Sequence, residues 1–260
     1  MFSISNGRLL CCALLLSGAG FSSAQSLPDA PESQSFSAER QLPRDLIADQ
    51  KAVWTSPLHI HHGDLKWLIP VSVGTAGLIA ADRHIASGIG SSYDRLETSK
   101  NVSYLGSYGL ASAIGTTYAV GLFTHNDRAR ETGLLSAESV ADAAVVQIAL
   151  KYATSRERPN TRKEEGHFWA GGDSFPSGHA ISVWSAASVF AEEYQDKPLV
   201  HWGAYGVATA VSLSRITGRD HFTSDVVVGS TLGYLIGHYV YGQHAKEARI
   251  LREIQRSHRP

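Results

Sequence analysis

The chain has 260 residues, 43% hydrophobic and 18% charged, which suits one moderate domain with a packed core and excludes global disorder. Its 23 basic and 24 acidic side chains give a net charge of −1, so it is no nucleic-acid binder held by bulk charge, although a small concentrated basic pocket stays open. Its two cysteines, Cys11 and Cys12, are adjacent, which excludes a disulfide framework and a cysteine-based zinc or iron–sulfur centre.

Residues 1–24 read as an export signal. Arg8 is the sole charge in the first 28 residues, Leu9 to Leu15 open an apolar run, and Ser22-Ser23-Ala24 supply the small residues a signal peptidase accepts. Cleavage after Ala24 would leave a mature chain without cysteine, stabilised by packing alone. The expected location is the periplasm or cell envelope.

Residues 25–58 follow as a flexible leader, rich in Ser, Pro, Glu and Gln as far as Arg44. Within it, Asp45–Trp54 has the pattern of a short amphipathic helix, with Leu46, Ile47, Val53 and Trp54 apolar. Residues 59–245 read as one helical domain. Its apolar stretches are Trp67–Ala81, broken by Pro70, then Val102–Phe123, Leu134–Lys151, Ala180–Ala191, Leu199–Ser214 and Val226–Tyr241. Residues 246–260 form a polar C-terminal tail. No strand-like alternation interrupts the pattern, so the expected fold is all-α, a bundle of six to eight helices.

A membrane span needs about 20 apolar residues, and only Val102–Phe123 meets that length. Gly, Ser, Thr and Tyr dilute it, and charges or a histidine cut the other stretches short. The pattern therefore favours buried helices of a soluble or peripheral bundle, with an integral inner-membrane protein as the alternative.

Three clusters carry the chemistry. Lys151-Tyr-Ala-Thr-Ser-Arg-Glu-Arg158-Pro159 comes first, Ser174-Phe-Pro176-Ser177-Gly178-His179 second, and Ser214-Arg215-Ile-Thr-Gly-Arg-Asp-His221-Phe-Thr-Ser-Asp225 third. Lys151, Arg158 and Arg215 all border apolar segments, where isolated cations are costly and call for an anionic partner. Ser177-Gly178 precedes a predicted helix whose free N–H groups suit phosphate oxygens. Arg158 and Arg215 add forked donors and Lys151 a point charge, which together make a phosphate cradle without a metal. His221 and Asp225 are four residues apart, so on one helical face Asp225 can accept from one ring nitrogen and leave the other free to attack phosphorus. His179 at the helix start is placed to protonate the leaving oxygen. The reaction this constellation suits is hydrolysis in two steps through a phosphohistidine.

The three clusters resemble the signature of the type 2 phosphatidic acid phosphatase superfamily, which also holds bacterial acid phosphatases and vanadium haloperoxidases. The K-x6-R-P, P-S-G-H and S-R-x5-H-x3-D patterns match at Lys151–Pro159, Pro176–His179 and Ser214–Asp225, within a core of about Leu134–Gly242. The resemblance implies a helical bundle and the same roles: phosphate binding by Lys151, Arg158, Ser177, Gly178 and Arg215, with His221 as nucleophile, Asp225 orienting it and His179 as general acid. It implies no resident cofactor, with vanadate an inhibitor. The alternatives are a vanadium-dependent haloperoxidase, in which vanadate is the cofactor, and an inactive phosphate- or lipid-binding member. Expected substrates are phosphorylated small molecules or lipid (di)phosphates, without a nucleic-acid partner. Two departures are Thr223, where many members have Pro, and Asp220, whose charge beside His221 would raise the pKa of that histidine.

Other residues have blander readings. His59, His61 and His62 lack metal-site spacing and read as a solvated loop. The five tryptophans read as core or interface anchors. Phe168 and Trp169 are candidates for the pocket mouth, and Arg156 and Arg162 for a second phosphate contact or for solvent.

Overall fold

The computed structural model describes residues 35–161 and 165–257, with side chains described over 41–161 and 165–246. The signal segment, both cysteines and Arg162 lie outside these residues. The chain divides into two compact units, Met1–Ala38 and Glu39–Pro260. The second holds every side chain described below.

All regular structure among the described residues is helical. The helices are α1 (Ser35–Thr55), α2 (Leu65–Gly88), α3 (Tyr93–Thr124), α4 (Asp127–Thr154), α5 (Gly178–Glu193), α6 (Pro198–Thr217) and α7 (Thr223–Ser257), with a short 3-10 turn at Ser56–His59. The all-α expectation holds. Several helices outrun their apolar stretches, because Glu, Arg, Gln and Leu extend a helix without marking a buried face. Thus α1 begins at Ser35, inside the expected flexible leader, and runs through Pro43. Likewise α7 continues through residues expected to form a polar tail.

Local chemistry sets the ends that matter for the site. Asn126 caps α4, its side chain accepting from the Ala129 N–H at 3.1 Å. At the other end of α4, Ser155 adopts a left-handed conformation (φ 41°) and its N–H bonds the Lys151 carbonyl. That stop turns the chain into the segment 155–177.

Helix α5 is the centre of the bundle. Ala180, Ile181, Val183, Ala186, Ala187, Val189 and Ala191 are all buried on it, so it is apolar nearly all round. On one side Ile181 and Val189 pack with Leu135, Ala143, Val146, Ile236 and Val240. On the other, Val183 and Ala187 pack with Ala208 and Val211. The approach of α7 is close enough to require glycine: a Cβ on Gly233 would lie 2.2 Å from the Ile181 carbonyl oxygen, and one on Gly237 2.1 Å from that of Ser185.

The outer helices depart from the soluble-bundle expectation. Helices α2 and α4 are long and apolar enough to cross a membrane, whereas Val102–Phe123 within α3 does not meet that test among the described residues. Burial in the bundle accounts for much of the apolarity of α4, but only 6% of the apolar window of α2 is buried. Trp67, Ile69 and Val73 on α2, Leu105 and Tyr108 on α3, and Leu199 and Trp202 on α6 are exposed. Exposed apolar side chains in this number mark contact with something apolar.

Replacing Gly237 with Ala should push α7 off α5 and cost about 1–3 kcal/mol, as overpacking does. Thermal unfolding should detect the loss, with Gly203→Ala as the neutral control, since a Cβ there meets nothing within 4 Å.

Candidate active site

The C-terminal ends of α4 and α6 and the N-terminal ends of α5 and α7 meet at one end of the bundle. Backbone bonds stitch these ends together. The Ser177 N–H donates to the Asp225 carbonyl at 3.0 Å, and the His221 N–H to that of Arg215 at 3.2 Å. The segment after α4 folds back on itself: the N–H groups of Ala170 and Gly172 donate to the Ser155 carbonyl, and that of Ser174 to the Arg156 carbonyl. A Cβ on Gly172 would lie 2.2 Å from the Arg156 oxygen, so only glycine permits this fold-back.

His221 is buried, and its Nδ1 lies 2.7 Å from the Ser174 carbonyl oxygen. A carbonyl only accepts, so Nδ1 carries the proton and Nε2 the lone pair. The expected partner, Asp225, is 3.8 Å away. Asp225 acts through Ser174 instead, whose Oγ donates to Asp225 Oδ2 at 2.5 Å, while the Phe222 N–H donates to the same oxygen at 2.9 Å. The i,i+4 spacing placed the two side chains as neighbours. The main-chain carbonyl that intervenes comes from a segment 47 residues away, which spacing cannot reveal.

Arg156 neither contacts solvent nor offers itself to a second phosphate: it is 2% exposed. Its guanidinium donates to Asp225 Oδ1 at 2.6 Å, Ser224 Oγ at 2.7 Å, Asp82 Oδ2 at 2.8 Å and the Gly166 carbonyl at 3.1 Å. The rings of Phe168 and Phe222 lie 4.7 and 4.5 Å from it. Phe168 therefore packs on this buried cation, and Trp169 is exposed with its Nε1 bonded to the Ala153 carbonyl. Asp82 was not anticipated. An acid directly after the apolar run Trp67–Ala81 is the one signal the sequence offers for it.

The phosphate-binding candidates divide into two kinds. Arg215 donates to Ser103 Oγ at 2.6 Å and to Asp220 Oδ2 at 2.9 Å, while its Nε is buried without a hydrogen-bond partner. Ser177 Oγ is likewise buried and unpartnered. A Cβ on Gly178 would lie 2.6 Å from the Gln147 side chain, so the start of α5 also needs glycine. The other two cations face a carboxylate. Arg158 Nε and Nη2 donate to the two oxygens of Asp173 at 2.7 and 2.8 Å, and Lys151 Nζ donates to the Asp173 carbonyl.

Electrostatic coupling ties the histidines to this set. Burial, then the positive charges of Arg215, His221 and Arg158, push His179 down from 6.5 to about 4, with Asp220 opposing. Burial also lowers His221, reinforced by Arg158 and Lys151 and opposed by Asp225. His221 is lowered rather than raised as its neighbour Asp220 suggested, because burial outweighs the attraction of the nearby carboxylate of Asp225. Asp173 is held below the ordinary carboxylate range by Arg158.

His59, His61 and His62 are exposed in a turn, as read from the sequence. Away from the histidines, the buried Asp49, Glu138 and Asp142 bring ligand-type oxygens within 4.8 Å of one another, a grouping that joins α1 to α4 and has no sequence motif.

The all-helical bundle thus gathers three cations, a helix N-terminus and two electrostatically coupled histidines at one end. The family model of the PAP2 superfamily matches residues 132–249, the part of the chain that carries these groups. A lipid A 1-phosphatase of Porphyromonas gingivalis is 33% identical over 92 residues, which cover 35% of this chain and 19% of that protein. The match thus spans about a fifth of the length of that relative. Among solved structures, a transmembrane PAP2-type phosphatidylglycerolphosphate phosphatase of Bacillus subtilis superposes with a TM-score of 0.53 at 23% identity, covering 68% of this chain and 96% of that one. LpxE of Aquifex aeolicus gives 0.47 at 22% identity, covering 62% and 92%.

Removing the buried cation should leave Asp82 and Asp225 uncompensated. Arg156→Ala is expected to cost about 3–5 kcal/mol in thermal or denaturant unfolding, as for other broken buried ion pairs.

Proposed function

We propose that the protein is a metal- and cofactor-independent phosphatase that hydrolyses phosphomonoesters or lipid (di)phosphates through a phosphohistidine on His221. The observation that carries this reading is the pairing of a fixed tautomer with free buried donors. Nδ1 of His221 is committed to the Ser174 carbonyl, so Nε2 is the nucleophile, while Arg215 Nε and Ser177 Oγ are buried donors without partners. Buried donors left unpaired cost about 1–3 kcal/mol each, a cost an incoming phosphate oxygen would relieve.

In the first step Nε2 attacks phosphorus, a P–N bond forms, and the P–O bond to the leaving group breaks as His179 gives that oxygen a proton. In the second, water attacks the phosphohistidine, His179 takes the proton, and the P–N bond breaks. Lys151, Arg158 and Arg215 neutralise the equatorial oxygens throughout. His179 at about 4 is neutral in the free protein at neutral pH. A phosphate dianion adds negative charge beside it and raises its proton affinity, so binding prepares the acid.

Lipid phosphates are the favoured substrates within this class. The exposed apolar surfaces of α2, α3 and α6 support a chain seated in the inner membrane rather than one free in the periplasm. A purely soluble product of export is the competing arrangement. Retention of the protein in membranes after carbonate washing is expected, and release into the wash would count against it.

His221→Ala should abolish turnover of p-nitrophenyl phosphate, phosphatidic acid and a polyprenyl diphosphate, and wild-type hydrolysis should persist in EDTA. Vanadate should inhibit competitively; peroxide-dependent bromination with vanadate would support the haloperoxidase alternative instead. The pH profile follows from the two histidines. His221 must be neutral and His179 protonated, so kcat/KM falls as pH drops through the first pKa and as it rises through the second. Both lie below 6.5, which puts the maximum on the acid side. His179→Ala should lower kcat for alkyl phosphates far more than for p-nitrophenyl phosphate and remove the alkaline limb.

A further inference from the structure

Arg158 presents its Nε and Nη2 side-on to both oxygens of Asp173, at 2.7 and 2.8 Å. Two parallel N–H···O bonds to one anion are the geometry an arginine uses on phosphate. Lys151, the second cation of the same motif, donates to the Asp173 main-chain carbonyl, and its Nζ lies 4.0 Å from Asp173 Oδ2. One residue thus takes up donors of both cations, its carboxylate those of Arg158 and its carbonyl that of Lys151.

Asp173 is built to be displaced. Its side chain is 62% exposed, against 29% for Arg158 and 16% for Lys151, so it can rotate into water while the two cations stay in place. Its backbone is firmly held, because the neighbouring Ser174 accepts from His221 Nδ1 and donates to Asp225. The carboxylate can therefore leave without disturbing the nucleophile. Asp220 pairs with the third cation, its Oδ2 2.9 Å from Arg215 Nη2.

We infer that Asp173 is an internal competitor for the phosphate group, a carboxylate that occupies the Arg158 fork until a substrate phosphoryl group displaces it. The inference rests on the phosphatase reading for the identity of the displacing anion. Asp173 keeps two cations from standing unpaired in a half-buried pocket and excludes weaker monoanions. It also lowers the affinity for the product, inorganic phosphate, so that the site clears after each turnover. Asp173 is thus a specificity-setting residue: it touches the binding group, and its effect is on binding rather than on bond cleavage.

The test measures inorganic phosphate binding directly by calorimetry, which needs no turnover, in the wild-type protein, Asp173→Asn and Asp173→Ser. Both variants should bind phosphate more tightly, by about fivefold, the weight of one partly exposed ion pair. Where p-nitrophenyl phosphate is hydrolysed, KM and the inhibition constant for phosphate should fall in parallel, with kcat unchanged or lower. Weaker binding in both variants would mean that Asp173 only aims Arg158, and the inference fails. Unchanged binding, or no phosphate binding by wild type and variants alike, overturns it as well. Phosphate binding that tightens in a protein without turnover on any phosphate ester would sink the phosphatase reading and leave the competition standing.

Discussion

The site depends on one buried guanidinium. Arg156 joins Asp82 of α2 to Ser224 and Asp225 at the start of α7, and its fourth contact fixes the segment leaving α4 at Gly166. Two carboxylates and a cation without access to water are favourable only while all of them stay paired, which makes the arrangement all-or-none. Phe168 and Phe222 cover the faces of the guanidinium and keep it dry. From Asp225 the constraint passes to Ser174, whose own carbonyl accepts from His221 Nδ1 and fixes the tautomer of that ring.

Around that fixed frame the cradle is only partly satisfied. Arg158 and Arg215 each share a carboxylate, yet Arg215 Nε and Ser177 Oγ remain buried and unpaired. The contrast separates two jobs. Exposed pairs such as Arg158–Asp173 are cheap to exchange, because water compensates for their loss. Buried unpaired donors store a demand for an acceptor of suitable shape. A site that combines them suits the tetrahedral anion of the proposed reaction without locking its cations in a single pairing.

The bundle explains why these groups can sit where they do. Helix α5 is apolar on nearly every side, and glycines 233 and 237 let α7 approach it at backbone distance. That closeness fixes the end where Ser177, His179 and Asp225 meet. The remaining exposed apolar side chains, on α2, α3 and α6, face outward, so the same chain has a polar end and apolar flanks.

The sequence by itself determined the helical class, the three clusters and the residue types at each chemical position. Helical periodicity and motif spacing are local properties of the chain, and they survive without coordinates. It did not determine the extents of α1 and α7, because polar helix formers carry no burial signal. Nor did it determine which stretches are apolar on their outer surface, since hydropathy is the same for a residue facing a core and one facing lipid. The carbonyl that holds His221, the burial of Arg156 with Asp82, and the seat of Asp173 on Arg158 belong to the tertiary structure alone. Each joins groups 15 to 74 residues apart, and hydrogen-bond geometry at that range exists only once the helices have packed.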